Sequence, residues 1–206
     1  MHTADARLTG CGDGFFTKRI RLKGKPTSIV GIDYSQEAIK IAKAKNKVVS
    51  IKYLIGNAHH LPFKKNSFDI ALLQSVLHHD DNPGGMIEEA FRVAPEIIIH
   101  EPNGNNFGLK MIEKISKYHL EHHEKSYSTS VLAHLIKETG GEVKKIEYAG
   151  FVPMFCPDTL ARIMKFVEPI IEKIPLIRKY LCSVTLIFAS RIFFPLAFLV
   201  KSSTVP

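Results

Sequence analysis

Short runs of consecutive apolar residues alternate along the chain with stretches in which apolar side chains recur every third or fourth position. The first pattern belongs to strands buried on both faces, the second to helices with one covered stripe. A short strand is expected to end at Thr9, and a helix then runs to about Leu22. Six further strands are read in "SIVGIDYS" (28–35), "IKYLIGNA" (51–58), "FDIALLQSV" (68–76), "EIIIHEP" (96–102), "EVKKIEYAG" (142–150) and the run from Val184 to Ala189. Helices fall between them. "SQEAIKIAKAKNK" has Ser35 as N-cap, Ala38, Ile39 and Ala42 on one face and lysines on the other. "PGGMIEEAFRVA" is the next, and "YSTSVLAHLIKETGG" is an amphipathic helix closed by glycine. Such alternation predicts an α/β fold around a mostly parallel sheet.

Two stretches break the alternation. Residues 103–125 begin as a Gly/Asn loop and turn helical, and residues 152–181 carry apolar positions at Leu160, Ile163, Met164, Val167, Ile170, Ile171 and Ile174, interrupted by Pro169 and Pro175. Both read as helical cap insertions over one end of the sheet, placed to wall a substrate pocket. The expected organisation is a core over 1–150, a helical cap over 151–183, and the last core strand with an apolar, basic tail over 184–206.

Composition narrows the class. The chain of 206 residues is 45% apolar and 23% charged, the balance of a globular protein of one domain or one domain plus a cap. Cys11, Cys156 and Cys182 are widely spaced and odd in number, which argues against a disulfide framework and suits a reducing compartment. The opening "MHTADARLTG" lacks an apolar signal core, so a cytoplasmic protein is expected. A net charge of +8 concentrates in "KRIRLKGK" (18–25) and in the last 46 residues, which hold seven Lys/Arg against two Glu. Basic surface suits nucleic acid, anionic lipid or plain solubility. The run from Tyr180 to Val200 is nearly uncharged, but its first half is β-branched and aromatic and reads as a buried strand. After Arg191 only nine uncharged residues precede Lys201, too few to cross a bilayer, so peripheral membrane contact by the tail is the reading retained.

Chemistry is expected at the carboxyl ends of the strands, where open α/β sheets collect their ligands. The first strand ends in "GCGDG", whose Gly10, Gly12 and Gly14 permit a left-handed backbone and close approach of N–H groups to a ligand. A dinucleotide fingerprint needs a third glycine or alanine where Phe15 stands, and "GFFTK" lacks the Gly-Lys-Ser/Thr of a phosphate loop. The second strand ends in Asp33, whose two oxygens suit a ribose diol. "GNAHHLPF" places Asn57 and the Ala58 N–H to read a base edge, and "LLQSVLHHDD" puts Gln74, Ser75, His78 and His79 at the mouth.

In this combination and order, "GCGDG", "VGIDYS", "GNAHHLPFKKNSFDIALLQSVLHH" and "IIIHEPN" resemble the class I S-adenosylmethionine-dependent methyltransferases of small-molecule type, over roughly residues 8–150. The resemblance implies a Rossmann-like seven-stranded sheet flanked by helices, its last strand antiparallel, with S-adenosylmethionine across the ends of strands one to four. By the same resemblance Gly10, Cys11, Gly12 and Gly14 cradle the methionine moiety, Asp33 binds the ribose, and Tyr34 lies against the adenine. Asn57 and Ala58 then meet the base, and Gln74 sits near the methionine end. Leu8 stands where the family usually has an acidic residue, and Asn57 where aspartate is common.

Methyl transfer from a sulfonium is an in-line displacement in which the protein aligns the nucleophile, and a base is needed only if the acceptor must lose a proton. His79, His78 and Glu101 are the candidates for it. "HLEHHE" (119–124) sets His119 and His123 four apart, but without an H-E-x-x-H pattern or a strong third ligand no metal is expected. The acceptor is expected to be a small molecule, hydrophobic or lipid-like. The alternatives are an RNA methyltransferase, which the basic charge favours and the absence of an Asn/Asp-Pro-Pro-aromatic signature opposes, and a catalytically impaired, truncated protein of the same fold. Nothing in the pattern fixes an oligomeric state.

Overall fold

A computed structural model of the chain describes residues 5–47, 51–116, 125–152 and 158–192. Seven strands form one sheet: β1 (Ala6–Thr9), β2 (Ile29–Asp33), β3 (Ile51–Ile55), β4 (Ile70–Gln74), β5 (Glu96–Pro102), β6 (Gly141–Ala149) and β7 (Val184–Arg191), in the spatial order β3-β2-β1-β4-β5-β7-β6. The first five in that order are parallel, and β7 runs antiparallel to both β5 and β6. Helices α1 (Phe15–Gly24), α2 (Gln36–Lys45), α3 (Pro83–Val93), α4 (Phe107–Ile115), α5 (Thr129–Glu138), α6 (Asp158–Ile171) and α7 (Pro175–Leu181) connect or flank them.

Local chemistry sets the boundaries. The Ser35 side chain accepts the Ala38 N–H and starts α2, whose Ile39 and Ala42 are buried. Asn82 accepts from Gly85 N and is followed by Pro83 at the first helical position, so α3 starts sharply. In the second irregular stretch Pro175 separates α6 from α7, whereas Pro169 lies inside α6.

Both faces of the sheet are covered in the way parallel strands require. On one face α3 and α5 bring Ile87, Phe91, Leu132 and Ile136 against Leu73, Ile97, Ile99 and Ile187. On the other, Ile39 and Ala42 of α2 pack with Ile29, Ile51, Tyr53 and Cys11. β1, with only the short "ARLT", lies inside the sheet between β2 and β4. Its Leu8 is in register with Gly31 of β2 and Leu72 of β4. From β1 the chain winds outward through β2 and β3, then returns to place β4 on the other side of β1. The strand order therefore reverses between β1 and β4, and a crevice opens above their carboxyl ends.

Candidate cofactor cleft

The loop leaving β1 is built by its three glycines, all left-handed, with φ of 75° at Gly10, 52° at Gly12 and 78° at Gly14. Each serves a different neighbour. A Cβ on Gly10 would lie 2.4 Å from the Gln74 carbonyl oxygen, so a side chain here would push β1's loop away from the end of β4. One on Gly14 would lie 2.6 Å from Asn46 Nδ2 and 2.7 Å from the Tyr53 hydroxyl, so Gly14 lets α1 start against β3. A Cβ on Gly12 would meet nothing within 4 Å, because Gly12 faces open space.

Asp33 closes this loop. Its Oδ2 accepts the Gly12 N–H at 2.8 Å and its Oδ1 the Ser35 N–H at 2.9 Å, so the carboxylate is fixed in position. A carboxylate has about four acceptor sites, which leaves capacity for hydroxyl donors from the crevice. At the end of β3, Asn57 Oδ1 accepts the His59 N–H at 2.9 Å and its carbonyl accepts from His60 N. At the end of β4, Ser75 takes a left-handed backbone (φ 47°) and donates to the His100 carbonyl.

These ends line one cleft of about 680 Å³, bordered by Thr9, Gly10, Gly12, Asp33, Tyr34, Gly56, Asn57, Ala58, His59, Gln74, Ser75, Val76, His79, Asp80 and Met86. Of the residues singled out in the sequence, it gathers Gly10, Gly12, Asp33, Tyr34, Asn57, Ala58, Gln74 and His79. Gly14 and Cys11 are not among them. Gly14 is occupied in helix–strand packing, and Cys11 is buried against Gly31. Burial, reinforced by the negative charge of Asp33, pushes the Cys11 thiol up to about 12.

His78 and Glu101 also lie outside the lining, and their contacts explain why. Glu101 is 1% exposed. Its Oε1 accepts the N–H groups of Val76 (2.8 Å) and Leu77 (2.9 Å), and its Oε2 lies 2.6 Å from His78 Nδ1. The carboxylate thus ties down the single helical turn Leu77–His79 that follows β4. It positions that turn and does not reach the cleft. His79 is presented to the cleft, its ring centroid 3.9 Å from that of His78.

A second link, missed in the sequence, spans the cleft's other wall. His59 Nε2 lies 3.0 Å from Asp80 Oδ2, joining the loop after β3 to the loop after β4. Burial raises the Asp80 carboxyl, but its hydrogen bonds with His59 and the Asn82 N–H outweigh this and hold it below the ordinary carboxylate value. Both residues lie in segments read as site loops, yet their pairing across 21 positions left no local mark. Met86, on the first turn of α3, had no signal beyond helical periodicity.

The expected pocket walls are a correction. Among the described residues of 103–125 and 152–181, none lines the cleft. The helices there follow strand ends on the same side of the sheet but do not border the cleft. Among the described residues no cluster of three or more His, Cys, Asp or Glu could hold a metal, and no helix is long and apolar enough to cross a membrane. "HLEHHE", Cys156 and the tail after Ile192 lie outside the described residues.

Residues 8–96 match the family model described as a methyltransferase domain. Over those residues the chain is similar to methyltransferase domains. An uncharacterised protein of Methanocaldococcus jannaschii is 38% identical over 108 residues, covering 51% of this chain and 48% of that protein. A demethylmenaquinone methyltransferase of Lactococcus lactis is 36% identical over 87 residues, 40% of this chain and 34% of the relative. A phthiotriol/phenolphthiotriol dimycocerosates methyltransferase of Mycobacterium tuberculosis is 31% identical over 68 residues, 33% of this chain and 25% of the relative. The matches thus span less than half the length of each of these relatives. Among solved structures, a Methanosarcina mazei S-adenosylmethionine-dependent methyltransferase superposes with a TM-score of 0.67 at 18% identity, covering 94% and 95% of the two chains. A Haloferax volcanii chain solved in complex with a methyltransferase activator gives 0.70 at 15% identity, covering 94% and 85%. These two likenesses establish the fold.

Solved structures sharing this fold are described as S-adenosylmethionine-dependent methyltransferases, and the chemistry of the cleft suits that cofactor. The absent Cβ of Gly12 leaves open space beside the loop, a fixed carboxylate waits at the end of β2, and Ala58, Val76 and Met86 supply apolar surface for a base or thioether.

Proposed function

We propose that this chain binds S-adenosylmethionine in the cleft above β1–β4 and catalyses methyl transfer to a small, apolar or lipid-like acceptor. The observation that carries the reading is convergence. Gly12, Asp33, Asn57, Ala58, Gln74 and His79 come from four different strand ends and border a single cleft at the point where the strand order reverses. The cofactor supplies an electrophilic methyl group when bound. Everything else falls to the chain. The backbone of Gly10 to Gly12 and the Gln74 side chain hold the amino-acid end, Asp33 takes the ribose hydroxyls, and Tyr34 with Asn57 and Ala58 flanks the base. His79 receives a proton where the acceptor must lose one, and Glu101 keeps the turn that carries His79 in place. An apolar acceptor is supported by relatives named for demethylmenaquinone and for phthiotriol/phenolphthiotriol dimycocerosates.

Titration calorimetry with S-adenosylhomocysteine tests the reading. Saturable binding is expected, weakened by roughly tenfold to a hundredfold in Asp33→Asn, because a hydrogen bond to a charged group contributes about 1.5–3 kcal/mol. No heat and no rise in Tm for the native chain would leave a methyltransferase fold without its cofactor, and the proposal would fall.

A further inference from the structure

Three helices carry large apolar side chains that stay exposed among the described residues. Among the described side chains α4 and α7 bury none, and α6 buries only Glu168. The exposed side chains are large and fall in register. On α4, Phe107, Met111 and Ile115 recur every four residues and are 67%, 66% and 75% exposed. On α6, Ile163, Phe166 and Ile170 follow one stripe at 63%, 83% and 59%. α7 joins the two, its Tyr180 ring stacked on Phe107 with centroids 5.3 Å apart.

The topology puts this surface at the cleft's end of the sheet. α4 leaves the carboxyl end of β5, α6 follows the carboxyl end of β6, and α7 leads into the start of the antiparallel β7 beside Pro102 and Ala149. Charge on these helices is sorted by direction. The glutamates on and beside these helices are engaged by the protein itself, while Asp158 at the start of α6 is exposed: Glu168 is buried and pairs with Lys165, Glu113 accepts from Lys110 and the Ser126 N–H, and Glu172 accepts the Gly150 N–H. The cations Lys114 and Arg162 are exposed and border the apolar stripes in the helical projection, and exposed Lys173 follows α6 in the turn before α7.

We propose that the cleft end of this protein docks on an anionic lipid bilayer through the outward faces of α4 and α6. Large apolar side chains on one helical face with Lys and Arg alongside are the arrangement of a helix lying in the headgroup plane, where long cationic stems reach back to the phosphates. A protein partner is the less favoured occupant, since the centre of a protein interface is depleted in lysine. Docking brings the cleft to the phase that dissolves an apolar acceptor. The inference rests on the methyl-transfer reading only for what the bilayer delivers.

Co-sedimentation with vesicles of phosphatidylcholine, with or without an equal part of phosphatidylglycerol, tests it on the full chain. Binding to the anionic vesicles is expected, weakened at high salt. It should fall at least tenfold in Ile163→Glu/Phe166→Glu, and independently in Met111→Glu/Ile115→Glu. All four sites are exposed helix positions, so Tm and S-adenosylhomocysteine binding should stay at the native values. Failure to bind either vesicle would overturn docking, as would unchanged vesicle affinity in both variants. Self-association that the same substitutions abolish, without vesicle binding, would assign the surface to a second copy and overturn it too. Cofactor titration separates the two claims: vesicle binding without cofactor binding refutes methyl transfer alone, and cofactor binding without vesicle binding refutes docking alone.

Discussion

Glu101 was a candidate base in the sequence and is a buried brace in the structure, and the two roles respond oppositely to substitution. Glu101→Ala removes the acceptor for the N–H groups of Val76 and Leu77 and the partner of His78 Nδ1. Each backbone donor left buried and unpaired costs about 1–3 kcal/mol, so two of them together destabilise by roughly 2–6 kcal/mol, with a small cavity added. Glu101→Gln keeps the shape and one oxygen. That oxygen can still accept both backbone N–H groups, while the amide nitrogen faces His78 Nδ1, which accepts in the other tautomer. The expected loss for Gln is about 1 kcal/mol. Urea unfolding of the three proteins measures both differences, and titration with S-adenosylhomocysteine reads the site. Glu101→Gln should unfold near the native protein, bind the cofactor product within a fewfold and retain most of its turnover. An alanine variant within about 0.5 kcal/mol of native refutes the brace. So does a glutamine variant that is fully stable and fully dead, which would return the proton-transfer role to Glu101.

Gly10→Ala forces an L side chain into φ 75° and sets a Cβ 2.4 Å from the Gln74 carbonyl. The left-handed backbone alone costs about 1–2 kcal/mol, and the overlap adds more, so Tm should fall by several degrees and cofactor affinity with it. Cys11 and Cys182 are buried thiols pushed up to about 12 and about 11, by desolvation first. Both should resist iodoacetamide in the native protein at pH 8 and react once urea unfolds it, as read by peptide mass mapping. Asp80 is held below its ordinary value in the folded state, so it adds stability above the unfolded carboxylate value and loses it as pH falls through its native value. Asp80→Asn should therefore flatten the acid side of the Tm–pH curve while costing stability at neutral pH.

Local chemistry made much of this fold legible. "EIIIHEP" is β5 residue for residue, and Ser35 caps α2 as its position before an amphipathic run foretold. Asp33, Asn57 and Gln74 were found because a strand's carboxyl end is a local feature, and the topology then brings such ends together. Three things were not legible, for one physical reason. The brace from Glu101 to His78, the link from His59 to Asp80, and the packing duty of Gly14 all join residues distant in sequence, and no periodicity records a partner. The stripe through Ile163 and Ile170 was read correctly as amphipathic but assigned to the pocket, because a helical period reports that a face exists and not what it meets.

The placement of β7 has a consequence for how the chain acquires its structure. β7 is the last of the described strands in sequence, yet it sits between β5 and β6, where Ile187 completes the cluster that includes Ile97 and Ile99. Until residues 184–191 leave the ribosome, β5 and β6 each lack the neighbour they pair with in the native sheet. Contacts such as Ile99 with Ile187 close long loops, so this half of the sheet should form late and slowly, after the β1–β4 half has a chance to collapse. During that interval "EIIIHEP" is an apolar edge strand open to a neighbouring nascent chain, which makes the timing of the final strand the step on which soluble yield depends.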